Sequence, residues 1–473
     1  MTFSSLSSEG VPSWAVQELH TADLGDRRLN RRLARVVGHL AAQPNVSVPQ
    51  AAGSWAATKA TYRLWASDRI TPEAIRQPHI TSTLERVHAQ PTILAIQDTT
   101  TLDFTHHPAT RGIGPIGGTS YQQGFKAPSV LAVTPDGLPL GLLHQQVWVR
   151  DPATVGKKHT RHQRETADKE SQRWLTALAA TQAQVLPTTQ VITIADREAD
   201  IYDLFAHPRR PHAQLLIRAA YNRRVQQPDG HLWPVLRQEA VGGEHMVDVP
   251  RGDDHPPRRA TLTLRWTSLL LKPPRHRRGQ HKLAPVPLYG VLAEEQQAPP
   301  GVQPIRWLLL TTLPVVSWED AVQIVVWYTR RWLVERYHFV LKSGCRVESL
   351  QLETVERLER ALATYCIVAW RLLWLTYAAR LMPTTPCSVA LRPAEWQALY
   401  CTVHATAAPP TAPPPLADAV QWIARLGGFL GRKQDGPPGA RVLWRGWQRL
   451  QDIAATWVLL HVNDPDPPAS TYG

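Results

Sequence analysis

The stretch "PTILAIQD", residues 91–98, is a continuous apolar run closed by an acid. Four apolar positions in a row, Ile93 to Ile96, with no polar alternation, read as a strand covered on both faces. A second run of the same kind, "TQVITIAD" (189–196), also closes on an acid, and "AQLLIRAAY" (213–221) gives a third strand. Between the first two lies "SVLAVTPDGLPLGLLHQQVWV" (129–149), two strands around a Pro-Asp-Gly turn. The segment "KESQRWLTALAATQAQV" (169–185) that follows has helical spacing. The order strand, hairpin, helix, strand predicts an α/β domain with a mixed sheet covered by helices.

Working outward, residues 14 to about 80 read as helical. In "LGDRRLNRRLARVVGHL" (24–40), Asp26 is placed as an N-cap, and Leu29, Leu33, Val36, Val37 and Leu40 form the apolar stripe. Arg27, Arg28, Arg31, Arg32 and Arg35 are largely excluded from it. A solvated charged face would account for them, but five arginines with no acid after Asp26 favour phosphate contact. Residues 223–300 differ: "RRATLTLRWTSLLL" alternates and "VPLYGVLAEE" follows, with Pro, Gly and Arg between, which predicts an all-β insertion with basic loops. "PIRWLLLTTLP" (304–314) returns to a buried strand, and a helix is expected from about Ser317. "AAPPTAPPPL" (407–416) reads as a semi-rigid linker before two further helices. The last residues, "DPDPPASTYG", read as disordered.

The chain has 473 residues, enough for about two to four domains. Lys and Arg outnumber Asp and Glu by 52 to 39, a net charge of +13 that points to a polyanionic partner such as nucleic acid. The four cysteines form no C-x-x-C pair, so neither a disulfide framework nor a zinc site is indicated. The start, "MTFSSLSSEG", lacks the basic and apolar regions of a signal peptide. The longest apolar stretch, residues 361–381, is interrupted by Arg371 and reads as a buried helix rather than a membrane span.

The chemistry concentrates in "YTRRWLVERYHFVLK", residues 328–342. On one continuous helix, at roughly 100° per residue, Tyr328, Arg331, Glu335 and Lys342 fall within an arc of about 60°. Asp98 and Asp196 are placed at strand ends, and Glu335 on a helix after a third strand, so the three can converge at one sheet edge. Three converging carboxylates require neutralisation, and hard oxygen-bound cations, Mg2+ or Mn2+, suit them. Two such ions about 4 Å apart can activate water and stabilise the leaving oxygen of a phosphodiester. Taken singly, each acid has an ordinary explanation, as a capping residue or a surface ion pair.

The spacing Tyr-x2-Arg-x3-Glu-x6-Lys, with "DREADIY" around Asp196, resembles the signature of the insertion-sequence-four family of bacterial cut-and-paste DDE transposases. "LGDRRL", "IQDTT", "GLLHQ", "KES", "WLLLTTLPV", "IARLGGF" and "LWRGWQRLQ" follow in the family's order over nearly the whole chain. The resemblance implies an RNase H-like catalytic core at 81–222 and 301–385. It also implies the β insertion at 223–300, a helical DNA-end-binding domain at 1–80, and a linker with a helical dimerisation domain at 386–473. It implies that Asp98, Asp196 and Glu335 bind two metal ions, and that Tyr328, Arg331 and Lys342 hold phosphates near the element's end. Trp307 is implied to stack at a flipped base and Arg197 and Arg218 to lie near that nucleotide, while Trp332 is placed either beside the site or in the core. The partners implied are terminal inverted repeats, target DNA and a second copy of the chain in a synaptic complex, with no membrane, in the bacterial cytoplasm at the nucleoid. A non-cutting regulator that binds ends, and a metal-dependent nuclease that does not join, are the alternatives. A glycosidase with paired carboxylates fits the charge poorly.

Overall fold

The computed structural model describes residues 12–117, 121–154, 170–228, 230–249, 257–275, 283–432 and 435–461. The basic loop 157–164, most of 272–282 and the last ten residues, singled out above, lie outside or largely outside them. By contacts the chain divides into two compact units. One takes the described residues of Met1–His79, Ala109–Arg111 and Tyr337–Gly473, the other those of Ile80–Pro108 and Gly112–Arg336.

The second unit is built on one ten-stranded sheet. Its strands are β1 (Thr92–Asp103), β2 (Gly114–Pro115), β3 (Gln123–Val133), β4 (Pro139–Gln145), β5 (Gln190–Ala195), β6 (Ala213–Arg218), β7 (Gly243–Val249), β8 (Arg258–Leu271), β9 (Val286–Glu295) and β10 (Arg306–Thr311). The order is β2-β3-β1-β5-β6-β10-β9-β8-β7, with β4 also on β3. The hairpin β3–β4 is antiparallel and turns at Gly137, whose φ of +100° favours glycine. β5 and β6 run parallel to β1 and to each other. The helix Gln172–Gln184 supplies the crossover that parallel pairing of β1 and β5 requires. Two cores flank these strands. Ile93, Ala95, Val130, Leu143 and Val191 pack in one, and Leu178, Phe205, Leu215, Ile217 and Leu310 in the other.

The insertion belongs to the core sheet and departs from the all-β expectation. Its strands β7, β8 and β9 extend the core sheet, because β9 pairs with β10 over Arg306–Thr311. It is also not all-β: Leu232–Gln238 forms a helix whose Leu232 and Leu236, four apart, are fully buried against Leu269 and Leu288.

The first unit is helical. Asp26 caps Arg27–Ala42 as expected, accepting the Arg28 N–H at 2.7 Å. At its centre lies Val355–Leu381, a helix expected to close the catalytic core but packed here. This is long and apolar enough to cross a membrane, yet 83% of its apolar window is buried inside the protein. Its Arg371 is buried, donating to the Ala390 carbonyl and lying over the Trp374 ring. Thr364 accepts the Trp65 indole N–H, and Arg360 donates to the Ile70 carbonyl. Trp447 donates to the Ala41 carbonyl and Trp444 packs against Phe339, so both dock on their own unit.

Candidate active site

The parallel register of β1 and β5 sets the first two acids. Ile96 lies opposite Ile194. Asp98 and Asp196 each lie two residues beyond that pair, Asp98 still on β1 and Asp196 just past the end of β5. The expectation that Asp98 ends its strand is corrected: β1 runs on to Asp103. Thr99–Asp103 keep their antiparallel partners on β3, from Pro128 to Gly124, after β5 has ended at Ala195. Asp98 therefore sits where its parallel neighbour stops and the sheet opens a notch. Each acid is held by a nearby backbone amide. The Thr99 N–H donates to Asp98 Oδ1 at 2.7 Å, and the Glu198 N–H to Asp196 Oδ1 at 2.9 Å.

The third acid comes from "YTRRWLVERYHFVLK", which is not one helix. Ser317 opens Trp318–Thr329 with a capping box shared with Asp320. The helix breaks at Arg330–Arg331, and a second one runs over Trp332–Phe339. At the break the N–H groups of Arg330 and Arg331 bond three residues back, to Trp327 and Tyr328, and Thr329 Oγ1 donates to the Val326 carbonyl. Arg330 also reaches the Pro135 carbonyl. Beyond Phe339 the turn Val340–Gly344 is π-helical, closed by the Cys345 N–H on the Val340 carbonyl. The single-helix arc thus fails, but Arg331 and Glu335 stay on one side, joined by an ion pair of 2.7 Å. Lys342 lies on the π-helical turn, in the other unit, and pairs with Glu348 at 3.1 Å.

The electrostatics tie the three acids together. Burial, foremost, raises the Asp98 carboxyl to about 7; Asp196 and Glu335 add to the rise, while the Thr99 amide and Arg331 oppose it. Among the described residues, no three Asp, Glu, His or Cys side chains are gathered closely enough to hold one ion. Glu335 is turned to Arg331 and each Asp to its own amide. The donors are nonetheless hard carboxylate oxygens, which suit Mg2+ or Mn2+.

Around this notch stand an aromatic pair and several cations. Tyr328 is buried, and its ring meets Trp307 edge-on at 5.2 Å. Burial raises the Tyr328 hydroxyl, and Arg331 and Arg218 oppose that rise. The hydroxyl makes no hydrogen bond of standard geometry. The Arg331 guanidinium lies 4.9 Å over the half-exposed ring of Trp332, and its Nε is unpaired. Arg218 donates to the Arg306 carbonyl. Arg197, exposed just after Asp196, joins Arg218, Gln303, Pro304 and Arg306 around a cleft of about 490 Å³. Arg306 was not singled out in the sequence, although it immediately precedes Trp307. Asp200 was missed too: buried, it accepts from the Ala220 and Tyr221 amides and pairs with Arg223. A second "D" in "DREAD" was the available signal. In the helical unit, Arg27, Arg28 and Arg31 are exposed. Arg28, Arg31, Arg32, Arg35 and His39 line a groove of about 620 Å³ whose other wall includes Ser54, Ala57, Ala60 and Thr61.

Three family models match the chain: transposase DNA-binding over residues 12–70, transposase DDE domain over 155–371, and transposase Tn5 dimerisation domain over 367–458. The chain belongs to the Tn5-like DDE transposases. This transposase carries a DDE catalytic domain, so its core is RNase H-like and its chemistry depends on divalent metal. It binds DNA and dimerises. Asp196, Glu335, Tyr328, Arg331, Lys342, Arg197, Arg218 and Trp307 fall inside the DDE match, and Arg27, Arg28 and Arg31 inside the DNA-binding match. Asp98 lies before the DDE match, so only its register with Asp196 and its coupling to Glu335 join it to the site. Among solved structures the transposase is similar to the piggyBac transposase synaptic complex with hairpin DNA, at 9% identity and a TM-score of 0.36, over 97% of this chain and 79% of that one. A likeness so distant adds nothing to the family matches.

Proposed function

We propose that this transposase binds the terminal inverted repeats of its element, cuts the element out through hairpin-ended intermediates, and joins its 3′ ends to target DNA. The observation that carries this reading is the parallel register of β1 and β5, from whose last pair Asp98 and Asp196 each lie two residues on, with the Asp98 carboxyl raised by burial and by Asp196 and Glu335. Asp98, Asp196 and Glu335 would hold two ions, Mg2+ or in its place Mn2+. When bound, these supply activation of the attacking oxygen and charge neutralisation at the phosphate. To serve, Glu335 must exchange Arg331 for metal, which frees the guanidinium for a DNA phosphate.

Each step is an in-line displacement at phosphorus: one P–O bond forms, one breaks, and the leaving oxygen departs with a proton. Water attacks first and leaves a 3′-hydroxyl at the element's end. That hydroxyl attacks the opposite strand and closes a hairpin, water reopens it, and the hydroxyl then attacks target DNA. Tyr328, Arg331 and Lys342 bind the phosphates flanking the cut. Trp307 stacks where a base leaves the helix, with Arg197 and Arg218 on that nucleotide; removing the base relieves a tight hairpin. Trp332 borders this site.

The domain roles belong to the same proposal. Residues 1–80 recognise the end, with Arg27, Arg28 and Arg31 on its phosphates. Residues 81–222 and 301–385 form the catalytic core, 223–300 the insertion, and 386–473 the linker and dimerisation helices. Two copies hold two ends in a synaptic complex, at the nucleoid of a bacterial cytoplasm. The test is cleavage of a duplex carrying the element's own repeats with Mg2+ or Mn2+, on a denaturing gel. Nicks at the repeat boundary and hairpin-ended products, absent in Asp196→Ala, support the reading. End binding without cleavage points to a regulator, and cutting without hairpins or joining to a nuclease.

A further inference from the structure

One buried cation behind the site is not used by the reading above. Arg173, the second residue of the helix Gln172–Gln184, is only 7% exposed. Its guanidinium spends its donors in three directions. Nε donates to Thr99 Oγ1 at 3.0 Å, one Nη to the Glu170 carbonyl at 3.1 Å, and the other Nη to Glu198 Oε2 at 2.6 Å. The Trp174 ring lies 5.4 Å from the guanidinium. The Glu170 carboxylate, itself bound by Arg150 and Lys126, sits 3.7 Å away. Burial works against the charge on Glu170, yet Lys126 and Arg150 hold its carboxyl below the usual range. The network is therefore charged and anchored on several elements.

Thr99 and Glu198 share a property. Each is the residue whose backbone N–H holds one of the two aspartates: Thr99 holds Asp98 and Glu198 holds Asp196. Side chains alternate along a strand, so Thr99 Oγ1 faces away from the Asp98 carboxylate, and Arg173 acts from behind the sheet. The Glu198 carboxylate is 61% exposed, so that ion pair by itself adds little stability. Its value is positional, because one rigid planar fork joins the side chains of the two residues whose amides aim the acids.

We propose that Arg173 is a positioning residue that fixes Asp98 and Asp196 relative to each other, so that the pair is set to take a divalent cation before DNA arrives. Its guanidinium donors are taken up by Thr99, Glu170 and Glu198, so it acts through these residues. The proposal rests on the reading of the two aspartates as metal ligands. Groups of this kind, one shell behind the ligands, commonly change metal affinity about tenfold to a hundredfold when removed.

The test uses full-length protein without DNA and counts free Mn2+ by electron paramagnetic resonance. Arg173→Gln is expected to weaken Mn2+ binding about tenfold to a hundredfold, and Arg173→Lys, which keeps one charged donor, to recover part of the loss. Thr99→Val, similar in shape and outside the ligand set, should weaken binding in the same direction and guards against a poorly folded Arg173→Gln. A residue serving stability alone would lower the melting temperature of Arg173→Gln and leave Mn2+ affinity unchanged. Affinity within about twofold of wild type in Arg173→Gln and Thr99→Val, with binding still lost in Asp98→Asn, overturns the positioning role. Wild type that takes up no Mn2+ without DNA overturns the presetting. Undiminished binding in both Asp98→Asn and Asp196→Asn would instead remove the ligand reading on which the proposal rests.

Discussion

Replacing Asp98 with Asn should stabilise the metal-free protein at pH 8 and do nothing for it at pH 4. The folded Asp98 carboxyl titrates at about 7 against an ordinary value of 3.8. Well below pH 3.8 it is neutral in both folded and unfolded chains. Between 4 and 7 the unfolded chain releases this proton and the folded chain keeps it, so this group's contribution to stability falls as pH rises. Above 7 the folded chain carries the whole cost of a buried charge. At 1.36 kcal/mol per pKa unit that cost approaches about 4 kcal/mol, an upper figure. Asn keeps the size of the side chain and can still accept the Thr99 N–H. Thermal melts in chelator from pH 4 to 8 would follow the difference, which should open toward alkaline pH. Saturating Mg2+ should then raise wild type alone, by about 2.7 kcal/mol at a hundred times Kd, and narrow the gap. Parallel melts at all pH values, or a gap that opens toward acid, would refute the reasoning.

Other outcomes follow from geometry. Arg28→Ala and Arg31→Ala should weaken end binding, each lowering the salt slope by about one, measured by anisotropy over a salt series. Gly446→Ala would place a methyl about 1.7 Å from the Ile423 carbonyl oxygen, where the helices Leu416–Leu426 and Ala440–Leu460 cross. It should push them apart, lower the melting temperature and shift light scattering from dimer toward monomer. Asp200→Ala leaves the Arg223 guanidinium and two amides without their carboxylate, and should cost about 3–5 kcal/mol in urea unfolding.

The apolar runs before Asp98 and Asp196 made both buried strands legible, because parallel strands covered on two faces need no alternation. The Ser317 cap and the Gly137 turn were legible for local reasons. The break at Arg330–Arg331 was not, since helical spacing is nearly the same through a tightened turn and Arg330 finds its acceptor at Pro135, far away in the chain. The union of the insertion with the core sheet was also hidden: alternation in "RRATLTLRWTSLLL" reveals a strand, not its partner. Arg173 and Asp200 were not singled out in the sequence, and only folding shows them buried and paired. Trp444 and Trp447 could have faced a second copy or their own unit, and the sequence carries nothing that separates these.

The central claim is that Asp98, Asp196 and Glu335 form one metal site. Anomalous diffraction from crystals of the transposase with its end DNA and Mn2+ tests it most directly. The account predicts density within coordination distance of all three carboxylates, about 2.1 Å for a small hard cation, with the Arg331–Glu335 pair opened. Mn2+ bound elsewhere, or Glu335 still paired with Arg331 beside a loaded site, would contradict it.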